Sequence, residues 1–253
     1  MSTASVKPIP NRLKQDALIE ALLEIRFQTS PSILPEIIVG RLADCGHWRN
    51  FQQRRLPASE IPAPIRQVDE SLRYTPLLEL SEPERKRLVR IGDRVISCHQ
   101  LVPYGGWGGF RPELFATVDA LFSIAATPTI KRLGLRYINA LRPAIHHVAS
   151  ITDLDLTVSV AREKAPPSIN LNFTTEVGED TDCTVRIATS TFISGTLPPN
   201  TAVVIDVDVF TKETFETKSI EEVKAWVDAA HATEKEQFFR LLTRETIDAL
   251  TEG

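Results

Sequence analysis

Two aspartates one residue apart, Asp206 and Asp208 in VVIDVDVF, and an imidazole three residues before a carboxylate, His231 and Glu234, are the groups best suited to hold a divalent metal. Carboxylates are hard oxygen donors, and a histidine and a glutamate at i, i+3 on one helix can ligate one ion when facing elements supply more. A metal-dependent hydrolase or nuclease would need all four side chains to converge and activate a water. The supporting pattern is thin: one H-x-x-E, no H-E-x-x-H and no C-x-x-C. The first reading is therefore structural, with no metal, cofactor or catalytic residue assigned. Alternation puts Val203, Ile205, Val207 and Val209 on one strand face and Asp206 and Asp208 on the other. Matching groups stand at Glu24 and Arg26, with Glu20, near the start and at Arg136 and Asn139 in LGLRYINALR. Cross-strand pairing would join Glu24, Arg26, Arg136, Asn139, Asp206 and Asp208 in a polar ladder, arginine clamping a carboxylate in a two-pronged fork. Glu234 falls near the centre of an apolar helical stripe (Val223, Val227, Ala230, Leu241), where a carboxylate is expected to be paired.

YGGWGGF, Tyr104–Phe110, fits neither G-x-x-x-x-G-K-[ST] nor a credible dinucleotide fingerprint. Its aromatics suit a contact surface for another protein, so Tyr104, Trp107 and Phe110, with Trp48, are the candidate binding residues. Two basic clusters, Arg49, Arg54 and Arg55 beside Trp48 and Phe51, and Arg85, Lys86, Arg87 and Arg90, could contact phosphates. Interspersed Glu82 and Glu84, a net charge of −4 and a pI near 5.8 favour a solvated face, so nucleic acid is not supported. No G-x-S-x-G is present, and Cys45 and His47 lie too close in sequence to suggest a dyad. The odd set Cys45, Cys98 and Cys183 reads as reduced structural thiols, and His146–His147 as a solvated loop.

These groups must be positioned by strands and helices in a chain that is 42% hydrophobic and 25% charged, enough for a substantial core. Residues 17–27 alternate as a strand; a helix runs from Pro35 to Asp44; 47–67 is irregular. Strands follow near 72–80, 87–91 and 94–101, the last two joined by a Gly92–Asp93 turn whose glycine can supply positive φ. After Pro112 an amphipathic helix carries Leu114, Phe115, Val118, Leu121 and Phe122. Strands near 130–141, 153–162, 169–177, 183–190 and 202–210 precede a long helix over 220–250, opened by a Ser219/Glu222 capping box. The expected fold is α+β, with mostly antiparallel sheets packed by helices. After a flexible stretch over 1–12, residues 13–253 form either one domain or two fused, topologically related halves, 13–128 and 129–253. No apolar run approaches the ~20 residues of a membrane span, so the chain is expected to be soluble and cytoplasmic, without a membrane partner.

IEALLEIRF, YGGWGGF, LGLRYINALRP and IDVDVF followed by a helix with Ala230–His231 and Phe238–Phe239 resemble a sporadically distributed bacterial family of uncharacterised proteins of about this length. The resemblance spans nearly the whole chain, LRYIN being its most specific part, and implies no activity, cofactor or catalytic residue. The patchy distribution it implies suits accessory components of bacterial defence or toxin-control systems. The expected function is thus a non-enzymatic interaction or sensing module whose partner is another protein encoded nearby; the alternative is the hydrolase built on Asp206, Asp208, His231 and Glu234.

Overall fold

The computed structural model describes residues 9–10, 13–30, 34–84, 86–125, 127–164, 166 and 168–252. Arg85 and most of the 1–12 stretch fall outside them. In chain order the elements are β1 (Leu18–Gln28), α1 (Pro35–Ala43), β2 (Gln52–Arg55), α2 (Ala63–Val68), β3 (Leu78–Ser81), β4 (Arg87–Ile91), β5 (Val95–Leu101), α3 (Trp107–Ile124), β6 (Thr129–Leu141), α4 (Pro143–His146), β7 (Ser159–Val160), β8 (Glu163–Lys164), β9 (Asn170–Gly178), β10 (Thr181–Thr189), β11 (Val203–Thr211), α5 (Ile220–Arg240) and α6 (Arg244–Glu252). Among the described residues nine strands make one antiparallel sheet, ordered β2-β3-β4-β5-β1-β6-β11-β10-β9, and β7-β8 pair separately. The α+β architecture expected from the pattern is present. No helix among the described residues is long and apolar enough to cross a membrane. The chain divides into two compact units: unit 1 comprises residues to Ile19, Arg136–Val209 and from Ala230 on, and unit 2 comprises Glu20–Leu135 and Phe210–Ala229.

In unit 2, alternation overrides helix propensity at β1: Ala21, Leu23, Ile25 and Phe27 are fully buried while the residues between them are half-buried. The register Ile91↔Ile96 and Ile25↔Ile96 continues this apolar row across three strands. Helix α3 packs on β5, and α1 packs on α3 and β4. The β4–β5 hairpin forms as expected, but Gly92 N–H donates to Val95 O at 2.8 Å, which leaves Asp93 and Arg94 as the two-residue loop. Gly92 is required for space rather than positive φ, because a Cβ there would lie 2.5 Å from the Thr75 carbonyl oxygen. The strand expected over 72–80 begins only at Leu78; Asp69 accepts from the Ser71 N–H and hydroxyl and holds a turn. The stretch expected to be irregular holds β2 and α2. Helix α3 starts at Trp107, before Pro112, because Gly106 takes φ +81° as its N-cap and its carbonyl accepts from Phe110 N–H at 3.0 Å.

In unit 1, β9 and β10 form the expected hairpin, with Cys183, Val185 and Ile187 buried on one face. Of the strand expected over 153–162 only the two residues of β7 form, and its start is taken by a turn at Ile151–Asp153. Asp153 Oδ2 accepts from the Ser150 N–H while Ser150 Oγ accepts from Thr152 N–H, a capping box that competes with the extended chain. The long helix expected to Leu250 ends at Arg240. Leu241 O accepts from Asp155 N–H at 2.8 Å, Leu154 bridges Leu242, and Thr243 caps α6 through Thr246 N–H. At the start of α5, in unit 2, Ser219 Oγ accepts from Glu222 N–H as expected; the Glu222 carboxylate takes the Thr217 hydroxyl rather than the Ser219 N–H.

Candidate functional site

The register of unit 2 sets Arg54, Glu79, Arg90, Ser97 and Glu24 side by side across β2, β3, β4, β5 and β1. Directly opposed residues share a sheet face, so this is one transverse row of charge. Glu79, 1% exposed, accepts from Arg54 Nη2 at 2.7 Å and Arg90 Nε at 3.0 Å. Burial opposes its ionisation, but the two guanidiniums outweigh burial and hold the carboxyl below the usual carboxylate range. Glu24 Oε1 accepts from Arg26 Nε at 2.8 Å and Arg132 Nη1 at 3.1 Å. One row along, His99 bridges Glu20 and Ser97, at 2.8 Å each. The guanidiniums of Arg26 and Arg132 lie over the rings of Tyr74 and Phe210. Such a row binds strands to one another and uses up the charges that would otherwise address a ligand.

In unit 1 Arg136 and Asp206 form the expected fork, Nε to Oδ1 at 2.7 Å and Nη2 to Oδ2 at 2.6 Å. Asn139 Nδ2 reaches the Ile205 carbonyl at 3.5 Å. The residue after Arg136 on β6, Tyr137, meets His231 Nδ1 of α5 through its hydroxyl at 3.3 Å. Consecutive strand residues face opposite sides. Asp206 and His231 therefore stand on opposite faces of β6, and the four groups of the hydrolase reading do not converge. Among the described residues no three His, Cys, Asp or Glu side chains are placed to hold a metal ion. Glu234 does occupy the apolar stripe of α5, but the expected pairing is missing: no described residue donates a hydrogen bond to it. Burial, and next the charge of Asp16, push its carboxyl up to about 8, so it is held as a neutral acid at pH 7.

The aromatic surface is only partly present. Trp48 and Phe110 are core residues, 2% and 1% exposed, because the start of α3 turns Phe110 inward; Tyr104 and Trp107 are half-buried. Tyr104 packs edge-on against Phe110, at 6.1 Å between centroids. His146, expected in solvent, is fully buried and accepts the Arg142 N–H on Nδ1 at 2.9 Å. Burial pushes the Cys98 and Cys183 thiols up to about 12, while Cys45 is half-buried. A thiol reagent at neutral pH should therefore label one of the three cysteines rapidly in the folded protein and all three in denaturant, with Cys45 found by peptide mapping. Rapid labelling of Cys98 or Cys183 would contradict this burial.

The sequence does not single out Arg132 or Glu79, and it favours a solvated face for Arg54 and Arg90. The available signal was Glu79 itself, a lone acid between Leu78 and Leu80 in an apolar strand, which has to be paired once buried. Compared with protein-family models and with curated proteins, the chain matches none.

Proposed function

We propose that this chain is a non-enzymatic interaction module that associates with a polypeptide through the exposed edge of its sheet. The observation that carries this reading is β9: nine residues, seven of them exposed, bonded to β10 on one side and ending the sheet on the other. An open edge of that length presents N–H and C=O groups that an added strand satisfies. The spent charges of the Glu79, Glu24 and Asp206 pairs support binding over chemistry. The family resemblance supports assigning the role to an accessory component of a bacterial defence or toxin-control system, with a partner encoded nearby. The free state of all three cysteines supports a reducing, cytoplasmic setting. From the centre outward the strand orders β1-β5-β4-β3-β2 and β6-β11-β10-β9 follow one scheme, first strand beside last and then a meander, which supports a duplicated architecture of residues 13–128 and 129–253.

The test is capture from the native host with the tagged full chain, comparing wild type with Thr174→Lys, an exposed change in the middle of β9. A polypeptide held in stoichiometric amount by wild type and lost with Thr174→Lys is the expected result. Equal capture by both, or capture by neither of any polypeptide, an untagged copy of this chain included, would overturn the reading.

A further inference from the structure

The two ends of the sheet differ. Strand β2 has four residues, two of them the exposed arginines Arg54 and Arg55, and is blunted in the way natural edges usually are. Strand β9 is NLNFTTEVG: it has no lysine, arginine or proline, one acid in Glu176, and an exposed Phe173. A long edge with so little charge is a pairing surface. The identity of the strand that fits is written in its own sequence.

If β9 meets a second β9 antiparallel about a two-fold axis normal to the sheet, opposed residues share a face only when the axis passes through a residue. Centring it on Thr174 pairs all nine positions. Leu171 then faces Val177 of the second copy and Phe173 faces Thr175, extending the side of β10 that holds Cys183, Val185 and Ile187. On the other side Thr174 meets itself and Asn172 faces Glu176. The charges also fit. Within one chain Asp182 stands opposite Glu176, while Arg186 stands opposite Asn172 and reaches toward the edge, its Nε donating to Asn170 Oδ1 at 3.0 Å and its Nη2 to the Phe192 carbonyl at 3.1 Å. The two-fold brings the acid end of each copy against the Asn172–Arg186 end of the other, in the row Asp182, Glu176, Asn172, Arg186.

We propose that β9 pairs antiparallel with β9 of a second copy of this chain about a two-fold axis through Thr174, closing the open edge in an isologous dimer. The proposal rests on the reading of β9 as the contact edge and names its occupant. Thr174 is exposed, its nearest polar partner being the Thr184 hydroxyl at 2.7 Å, so lysine or aspartate there leaves the monomer folded, as circular dichroism will verify. At the axis, however, each substitution sets a like charge directly opposite itself.

The experiment is light scattering on the purified full chain over a concentration series. Wild type should show twice the monomer mass, Thr174→Lys and Thr174→Asp each the monomer mass, and their equimolar mixture the dimer mass again. A monomeric wild type at every concentration, or a dimer that Thr174→Lys leaves intact, overturns the proposal. If wild type is monomeric yet captures a different polypeptide only when Thr174 is present, the second-copy assignment alone falls. If Thr174→Lys alters neither mass nor capture, the interaction reading falls with it.

Discussion

Glu234→Gln should make unit 1 more stable than wild type at pH 8 and little different at pH 5. In the folded chain burial, then Asp16, raises the Glu234 carboxyl from 4.5 to about 8. A carboxyl whose folded value lies above its unfolded value loses stability as pH rises between the two, at about 1.4 kcal/mol per pH unit. Protonated glutamic acid and glutamine are similar in shape and equally short of partners here, so they differ only where the acid would ionise. The opposite arm belongs to His146, whose imidazole is lowered from 6.5 to about 4 by burial and by the Arg142 charge. A histidine kept neutral in the fold loses stability as pH falls from 6.5. Wild type should thus gain stability from pH 8 down to 6.5 and run nearly level from 6.5 to 4.5, where the two slopes cancel. Glu234→Gln should be flat at the top and fall below pH 6.5. Hydrogen exchange of α5 and β10 is the right probe, since Trp48, Trp107 and Trp226 all lie in unit 2. Parallel pH profiles for the two proteins would show that Glu234 ionises freely in the fold.

What could be read from the sequence follows from how far each interaction reaches. β1, β4, β5, β6, β10 and β11 were legible because alternation is local and each has a buried face. The Arg136–Asp206 fork was also legible, since both residues stand out as charge in apolar strands and only β6 and β11 had to be neighbours. Glu79 was not, because its partners Arg54 and Arg90 lie 25 and 11 positions away on strands whose order the sequence does not state. The failures at 153–162 and at the end of α5 share one cause. Asp153 and Thr243 have side chains that can serve extended chain, helix interior or cap, and the tertiary bridge between Leu154 and Leu242 decides for the cap. The inward turn of Phe110 depends likewise on the positive φ of Gly106, which composition permits but does not require.

The second large effect is expected at the β4–β5 loop, where Asp93→Ala should destabilise unit 2 by about 3–5 kcal/mol. Arg66 of α2 and Asp93 have side chains only 7% and 10% exposed, joined by a 3.0 Å hydrogen bond from Nε to Oδ2, and Arg66 also donates to the Ile61 carbonyl. Removing the aspartate leaves a guanidinium buried with one carbonyl for company, and arginine cannot escape by losing its proton. The pair itself is imperfect, because Asp93 Oδ1 is buried with no hydrogen-bond partner. Replacing both residues should therefore cost much less than replacing the aspartate alone: Asp93→Ala with Arg66→Met is expected to recover most of the loss, since an apolar side chain fills the site without a charge to compensate. Urea unfolding followed by tryptophan fluorescence reports this unit, and the quantity to extract is the coupling between the two substitutions. A loss below about 1 kcal/mol for Asp93→Ala, within the range of exposed ion pairs, would mean that water reaches the guanidinium. A double variant as unstable as the single one would instead locate the contribution of Asp93 in the turn it forms with Arg94, beside a glycine that the Thr75 carbonyl leaves no room to replace.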